Sequence, residues 1–432
     1  MKTIKPHVFS FVKMLVSLLP VFVVVLGEFW WLAVLIFLCA FFYHKSFRVL
    51  VFKENITFKS GLLFGIKKVV LKNRVSFISA DSPLLLKPFG VFRVSLYCDF
   101  TKVFRLYLNK RDTAFLLKEF SPHSKIKRHS PRFVSLLVVS LIFSNSFAGV
   151  GIIFAFLWQL KKVFSLFGRE IDLPFSLSFS LSAVAFLVLF SWTVSALSTL
   201  LKNLNFSVLK KGGCLLIKSG VITVRRVLIR LSEVSFLCVK ENLFGKIFGF
   251  SKLFIKGQNQ KDCPVVPAIK GRDIPLFLSE FFENFKFLSP TISPDPAGFL
   301  GFILPSAVIY FILTVLTVMG VKLFPDFSKA VATVGVVLLF VTMWFCVLKI
   351  IDFFTTGISR NGDFFTLCYS KGFSLYKVAT RGDSILFIQF RQSVIQRFFK
   401  NCDVIVYTKG YAKHRVKNVN LKNAVKILKE DY

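Results

Sequence analysis

The chain has 432 residues, of which 54% are hydrophobic and 56 are phenylalanine, and its formal net charge is +35. This length exceeds what one hydrophobic core usually serves, so we expect several domains. So positive a charge is typical of nucleic-acid-binding proteins. The long apolar runs favour a different partner for the positive charge, the anionic inner leaflet of a membrane. We therefore expect a lipid bilayer, and no nucleic acid, among the partners.

Apolar stretches of the sequence occur as three pairs. A helix needs about 20 apolar residues to cross the hydrocarbon core. The first stretch contains Lys13 and Pro20, and the second is short but has aromatic residues at both ends, as interfacial anchors do. The stretches are Phe9–Leu26, Phe29–Tyr43, Phe133–Leu160, Pro174–Leu201, Gly298–Met319 and Ala330–Ile351. We predict that they form six transmembrane helices in three hairpins, the first of them retained and not cleaved as a signal peptide.

Most of the net charge lies between the hairpins. Residues 44–132, 202–296 and 349–432 carry +14, +8 and +9, whereas the hairpin turns are nearly neutral. The positive-inside rule therefore places these three segments and both termini in the cytoplasm of a multi-pass inner-membrane protein. The weak point of this topology is that it places Lys161, Lys162 and Arg169 outside.

An internal repeat relates the soluble segments. Lys59-Ser60-Gly61 matches Lys218-Ser219-Gly220, and the same offset aligns Val75-Ser76-Phe77 with Val234-Ser235-Phe236 and Phe89-Gly90 with Phe248-Gly249. A third copy aligns more loosely and places Asn401 where the others have the turn glycine. The glycines Gly61, Gly90, Gly220 and Gly249 are predicted to occupy turns in which a Cβ is costly.

Each copy has a β pattern that ends in a helix. Short β-branched and aromatic runs alternate with turn residues, as in Phe364–Tyr369, Ile385–Phe390 and Asp403–Thr408. The closing helices are predicted at Asp112–Phe120, with Asp112 as its cap, and at Asp273–Phe285 and Leu421–Glu430. Membrane hairpins are thus predicted at 1–43, 131–201 and 298–351, and soluble domains at 44–130, 202–290 and 352–432.

The glycine after the first strand pair, the strand around Ser76 and the apolar turn that ends at Gly90 resemble the bacterial pleckstrin-homology-like (PH-like) domain, type 2. The order of helix pair and domain, repeated three times, resembles the YdbT-like family of membrane proteins. This resemblance implies a membrane α + β fold with three small β-sandwiches or barrels, each capped by a C-terminal helix. It implies no particular activity.

Residues for catalysis or metal binding do not form a recognisable pattern in the sequence. The eight cysteines are scattered without a CxxC pair, so we expect neither a disulfide framework nor a zinc site. The histidines lack metal-site spacing, and neither a phosphate-binding loop nor a nucleophile elbow occurs. Asn145 is the one strongly polar residue deep in a predicted span. We predict a protein without catalytic residues, metal or cofactor.

Basic clusters are the remaining signal. Lys67, Lys68, Lys72 and Arg74 occupy the same place in the first copy as Arg225, Arg226 and Arg230 in the second. We interpret them as a surface for anionic phospholipid headgroups or for a protein partner, self-association included; a positive face that only reports the topology is the alternative.

Two functions remain open. The first is a membrane scaffold that presents three cytoplasmic domains, and the second is a transporter or export accessory that uses the helix bundle. The second requires a polar path through the helix bundle, and in the predicted spans only Asn145 suggests one.

Overall fold

The computed structural model describes residues 2–26, 30–61, 65–98, 101–121, 126–143, 181–256, 263–325, 328–409 and 412–429. The chain divides into two compact units: unit 1 is Met1–Ser130 with Lys202–Val234, and unit 2 is Pro131–Leu201 with Ser235–Tyr432. The boundary after Val234 falls inside the predicted second domain, 202–290. The strands of that predicted domain are therefore shared between the units.

Unit 1 contains two antiparallel sheets. Its four-stranded sheet has the order β1-β2-β3-β4, with β1 Lys2–Ile4, β2 Arg48–Val51, β3 Asn55–Ser60 and β4 Ile66–Leu71. Its seven-stranded sheet has the order β7-β6-β5-β11-β10-β9-β8. These strands are β5 Val75–Ser82, β6 Val91–Cys98, β7 Thr101–Asn109, β8 Ile126–His129, β9 Ser207–Lys211, β10 Cys214–Ser219 and β11 Val224–Arg230.

The core of unit 1 lies where apolar side chains of both sheets and one helix meet. Val49, Phe58 and Leu96 pack with Leu116 and Leu117 of helix α3, Lys110–Glu119. Asn109 is the residue that precedes this helix, so the predicted cap Asp112 instead lies in its first turn. A carboxylate there still interacts favourably with the helix dipole.

Two further apolar helices of unit 1 precede β2. They are α1, Val8–Leu26, and α2, Trp30–Ser46.

Unit 2 also combines two antiparallel sheets. The larger has the order β14-β13-β12-β17-β16-β15, and the smaller has the order β18-β19-β20. The strands are β12 Phe236–Asn242, β13 Phe250–Lys256, β14 Cys263–Lys270, β15 Gly357–Asn361, β16 Phe364–Lys371, β17 Ser374–Arg381, β18 Ile385–Arg391, β19 Asn401–Thr408 and β20 Ala412–Asn420. The strands predicted at Phe364–Tyr369, Ile385–Phe390 and Asp403–Thr408 are confirmed as β16, β18 and β19.

The helices of unit 2 lie between and beside these strands. They are α4 Phe133–Ile142, α5 Leu181–Asn203 (which runs two residues into the range of unit 1), α6 Leu243–Phe248, α7 Ile274–Phe281, α8 Phe299–Leu323, α9 Ser328–Thr355, α10 Val394–Phe398 and α11 Leu421–Lys429. Helices α7 and α11 correspond to the predicted closing helices, although α7 ends at Phe281, before the predicted Phe285.

Each large sheet is formed by two halves that are distant in sequence. In unit 1, β11 pairs with β5, with Leu228 opposite Ile78. In unit 2, β12 pairs with β17, with Cys238 opposite Val378. A strand at the edge of a sheet leaves N–H and C=O groups unpaired, and each of these junctions removes two such edges.

The prediction of six transmembrane helices in three hairpins is wrong. Among the described residues only two segments are long and apolar enough to cross a membrane, Pro296–Leu323 and Val334–Thr355, and four antiparallel β-sheets make up the domains. Three further apolar helical stretches, Val8–Leu18, Val34–Ser46 and Phe133–Ile142, have 10–17 residues within the described part of the chain. Residues 144–180, with Asn145 and part of the second predicted pair, lie outside the described residues.

The two long helices, α8 and α9, pack against each other through small residues. A Cβ on Gly335 of α9 would collide with Thr317 of α8, and a Cβ on Gly320 of α8 would press on Val331 of α9. Small residues allow such close approach of helices in a membrane. This pair corresponds to the third predicted hairpin.

Candidate functional site

A row of basic side chains crosses the small sheet of unit 1. The register places Arg48 of β2 opposite Lys59 of β3, and Lys59 opposite Lys67 of β4. Residues directly opposite in antiparallel strands share a face, so the three side chains point the same way. All three are exposed, and none has a carboxylate partner among the described residues. Lys68 is exposed on the other face of β4.

The remaining members of the first cluster lie just beyond β4. Lys72 donates to Glu119 at the end of α3 at 2.5 Å, so its charge is compensated. Arg74 is exposed but also has an interaction partner. Of the four predicted residues of this cluster, Lys67 and Lys68 thus present uncompensated charge.

The second cluster lies at the junction of the large sheet in unit 1. Arg225 pairs across the junction with Asp81 of β5, and its Nε is 3.7 Å from the carboxylate. Arg93 of β6 reaches the same carboxylate at 3.6 Å, so Asp81 lies between two arginines. The guanidinium of Arg226 lies 5.2 Å from the centre of the Phe92 ring, within cation–π distance.

Arg230 completes the junction with bonds to backbone. It donates from Nη2 to the carbonyl oxygen of Lys72 at 2.7 Å and from Nη1 to that of Asn73. A guanidinium that bridges two carbonyls fixes the turn that precedes β5. The two predicted clusters therefore have different surroundings: the first is largely open to solvent, whereas the second is engaged within the sheet.

The predicted turn glycines have positive φ. The angles are 129° at Gly61, 63° at Gly90, 89° at Gly220 and 69° at Gly249. At Gly220 a Cβ would also collide with the carbonyl of Thr223, whereas at Gly90 and Gly249 the space is open.

In the third copy the left-handed residue of the turn is Lys400, with φ 55°, and not Asn401 as the alignment predicted. Asn401 is instead buried at the start of β19.

A cavity of about 950 Å³ lies within unit 2, between the outer face of the large sheet and α7. Its apolar walls include Val239, Leu278 and Leu375, and lysines from three different segments line it: Lys246, Lys286 and Lys377. Such a volume and lining suit a small amphiphile. No pattern in the sequence indicated this cavity, because its walls come from segments more than a hundred residues apart.

Two thiols of unit 2, Cys368 and Cys402, are buried. Burial raises the pKa of the Cys368 thiol to about 11, despite the opposing effect of nearby Lys377. Burial, with the Asp403 carboxylate beside it, likewise raises the pKa of Cys402 to about 11. A thiol is a nucleophile and metal ligand as its thiolate, so neither cysteine is activated. Among the described residues, no group of three potential metal ligands occurs.

A buried ion pair ties α9 to the β structure of unit 2. Lys349 Nζ lies 3.2 Å from Asp352 Oδ2 and donates to the hydroxyl of Ser370 in β16 at 2.6 Å. Thr356 donates to the other oxygen of Asp352 at 2.8 Å. The sequence analysis did not identify this ion pair. The available signal was a lysine and an aspartate three residues apart at the end of an apolar helix.

A second polar network holds the start of α8. The buried carboxylate of Asp403 accepts hydrogen bonds from Arg415, from Gln396 and from the backbone N–H of Asn418. Asn418 Nδ2 in turn donates to the carbonyl oxygen of Gly298 at 3.1 Å.

Comparison with known proteins agrees with this architecture. The sequence model of the bacterial PH domain matches residues 114–278 and 300–430. The UPF0699 transmembrane protein YdbT of Bacillus subtilis (strain 168) is 25% identical over 184 residues, which are 39% of this chain and 37% of the relative. The chain thus matches little more than a third of that relative's length. No solved structure matches the chain.

The family match covers two copies, so the third tandem domain remains a prediction from the sequence repeat. The two long apolar helices and the likeness to a transmembrane protein both indicate association with a membrane. Since the match extends over most of its residues, this membrane-associated chain belongs to the bacterial PH domain family.

Proposed function

We propose that the protein is a non-enzymatic membrane scaffold whose PH-like domains engage anionic phospholipid headgroups through the exposed basic row of unit 1. The row is Arg48, Lys59 and Lys67, with Lys68 on the same outer strand. The observation that carries the proposal is that three aligned, exposed basic side chains lack carboxylate partners among the described residues. A fixed row of positive charge suits a surface of negative headgroups.

In this proposal the β domains and both termini lie on the cytoplasmic side of the inner membrane. The support is the positive charge of the segments that contain them, +14 for residues 44–132 and +9 for residues 349–432. A membrane-impermeant thiol reagent should therefore label Cys98 of β6 only after cells are permeabilised. Labelling in intact cells would contradict this orientation.

The headgroup proposal is tested with the full chain in detergent micelles. Native mass spectrometry measures how many phosphatidylglycerol and phosphatidylcholine molecules stay bound to the wild type and to the triple variant Arg48→Ala, Lys59→Ala, Lys67→Ala. Each charge near an anionic surface contributes about 1 kcal/mol, so we expect the triple variant to bind phosphatidylglycerol about a hundredfold more weakly. Binding of phosphatidylcholine should not change.

A matched control removes the same charge elsewhere in unit 1. Lys110, Arg111 and Lys118 are three exposed basic residues of α3. Their triple alanine variant should retain the phosphatidylglycerol affinity of the wild type. Equal losses of phosphatidylglycerol affinity in both triple variants would show that only net charge matters and would contradict the headgroup proposal. The basic row would then be a surface for a protein partner or a positive face that only reports the topology.

A further inference from the structure

Three turns of the protein expose large apolar side chains at corresponding positions. They connect β5 with β6, β12 with β13, and β18 with β19. Among their side chains, Leu85 is 80% exposed, Ile247 is 68% exposed and Phe398 is 83% exposed. The further exposed members are Leu84 and Phe89 in the first turn, Phe244 and Phe248 in the second, and Val394 and Phe399 in the third. Contiguous exposed apolar groups mark interaction surfaces.

The turns share more than their apolar character. Each has a basic residue shortly before its end: Lys87, Lys246 and Arg397, respectively. Each also ends in the left-handed residue described above, Gly90, Gly249 or Lys400. The same chemistry therefore occurs three times on one backbone shape, which a chance exposure of apolar side chains does not explain.

The first turn is held at the start of an apolar helix. Its one buried residue, Leu86, packs with Val91 and Tyr107, and Phe9 in the first turn of α1 packs against this group. The ring centres of Phe9 and Tyr107 are 5.4 Å apart, and Lys13 of α1 donates to the Tyr107 hydroxyl at 2.9 Å.

The second turn contacts two apolar helices. Asn242, which precedes α6, donates to the carbonyl oxygen of Ile142 at the end of α4 at 2.6 Å. The ring of Phe244 stacks on Trp344 at 5.1 Å between centres. Trp344 belongs to the membrane-spanning candidate Val334–Thr355. The second turn therefore lies beside a helix that can cross the bilayer.

The third turn is linked to the other long helix. Gln396 of α10 donates to the side-chain oxygen of Asn418 at 2.5 Å. As noted above, Asn418 donates to the carbonyl of Gly298, next to the start of α8. A Cβ on Gly301 would collide with Asn418, so the contact is close. All three turns are thus anchored to the end or side of an apolar helix, while most of their outer side chains remain exposed.

We propose that the three turns insert their apolar side chains into the interfacial layer of the bilayer, with Lys87, Lys246 and Arg397 among the headgroups. The occupant is lipid, because each turn is fixed beside an apolar helix and pairs its apolar tip with a cation that can extend its stem along the interface. This inference goes beyond headgroup binding by the basic row, because insertion of apolar groups requires no negative lipid. Each domain then contacts the bilayer directly, in addition to its covalent attachment to a helix.

The test is site-specific photocrosslinking in proteoliposomes. The full chain carries p-benzoyl-phenylalanine in place of Phe89, Phe248 or Phe398, which are 68%, 61% and 83% exposed. The control position is Phe387 in β18, which is 52% exposed on a strand and not in a turn. Every position exchanges one exposed aromatic side chain for another, so the fold is retained. Vesicles of phosphatidylcholine alone are compared with vesicles that also contain phosphatidylglycerol.

We expect a lipid adduct at each turn position in both kinds of vesicle, with a yield several-fold above that at Phe387. Adducts that persist in pure phosphatidylcholine support insertion even if the basic row fails its own test, so the two proposals can be separated. Lipid yields equal to that at Phe387, or adducts to a second protein molecule in place of lipid, would overturn the inference.

Discussion

Strands β4 and β11 have similar basic sequences at the same position of the predicted repeat, yet their surroundings differ. Lys67 and Lys68 of β4 belong to the outer strand of a four-stranded sheet and are exposed. Arg225 and Arg226 of β11 belong to an interior strand, flanked by β10 and β5. The difference shows that strand pairing decides whether a basic cluster is exposed to solvent or paired within a sheet. Composition does not reveal this pairing.

The junction depends on one acidic residue. Because the register places Arg225 opposite Asp81 and Asp81 opposite Arg93, one carboxylate compensates two guanidinium groups. No such carboxylate is aligned with the row of Arg48, Lys59 and Lys67. The following predictions test this contrast between compensated and uncompensated charge, from the largest expected effect to the smallest.

The largest effect is expected where the compensated pair is most buried. Asp352→Leu leaves Lys349, which is only 9% exposed, without its carboxylate. Removal of one partner of a buried pair costs about 3–5 kcal/mol, measured as the free energy of unfolding in detergent micelles. The double variant with Lys349→Met should recover most of this loss. A double variant as unstable as the single one would show that the pair is not the cause.

A smaller loss is expected at the junction of unit 1. Arg230→Ala removes two hydrogen bonds from a cation to backbone carbonyls, and should cost about 2 kcal/mol in the free energy of unfolding. Lys67→Ala should stay within about 0.5 kcal/mol of the wild type, as exposed substitutions do. If both variants had the same stability, the contrast between β11 and β4 would fail.

Lys252 sharpens the contrast, because it is a half-buried cation on β13, and no acidic partner among the described residues raises its pKa. Burial, with Lys240 beside it, lowers its pKa to about 8, while the ammonium lies 4.2 Å from the centre of the Phe143 ring. The unfolded chain, with an ordinary lysine pKa, holds this proton up to higher pH, so stability should rise as the pH increases from about 8 to about 10.

Lys252→Met should remove this rise and stabilise the protein near pH 7 by on the order of 1 kcal/mol. The measurement is chemical unfolding at a series of pH values, with Lys240→Met as the comparison. If the stability of Lys252→Met still rises with pH as in the wild type, another group causes the rise.

The smallest effect concerns backbone strain in the third turn. Lys400 has the left-handed conformation, with φ 55°, that glycine has in the other two turns. Lys400→Gly relieves the steric cost of its Cβ but adds the chain entropy of glycine, so we expect a net gain of about 0.5 kcal/mol. Thermal unfolding measures it, and Gly249→Lys should give the opposite sign. Destabilisation by Lys400→Gly would indicate that the lysine side chain itself holds the turn.

Local sequence patterns predicted the β elements well. The β-branched and aromatic runs of the third soluble segment predicted β16, β18 and β19, and the helical patterns that close the copies predicted α3, α7 and α11. These signals depend on neighbours only a few residues apart, where steric preference and burial act together. The helix prediction was less successful, because only two segments among the described residues, in α8 and α9, are long and apolar enough to cross a membrane.

The candidate sites were less accessible from the sequence. Lys67 and Arg225 could be singled out by their charge, but their partners could not be identified without the register. The lysines around the cavity, and Asn418 beside Gly298, come together from distant segments. The misplaced turn residue, Asn401 in place of Lys400, shows that even a correct motif can be shifted by one position when identities are few.

The sequence by itself determined the positive charge, the apolar helices α8 and α9, the strand periodicity and the turn glycines, since each of these follows from composition or local pattern. Only the tertiary structure decided that β11 joins β5 and that β12 joins β17, so that one predicted domain is divided between two units. The physical reason is that strand edges are satisfied by backbone hydrogen bonds, which carry no side-chain signature of their partner. The same pairing left Lys67 exposed and engaged Arg225 with Asp81.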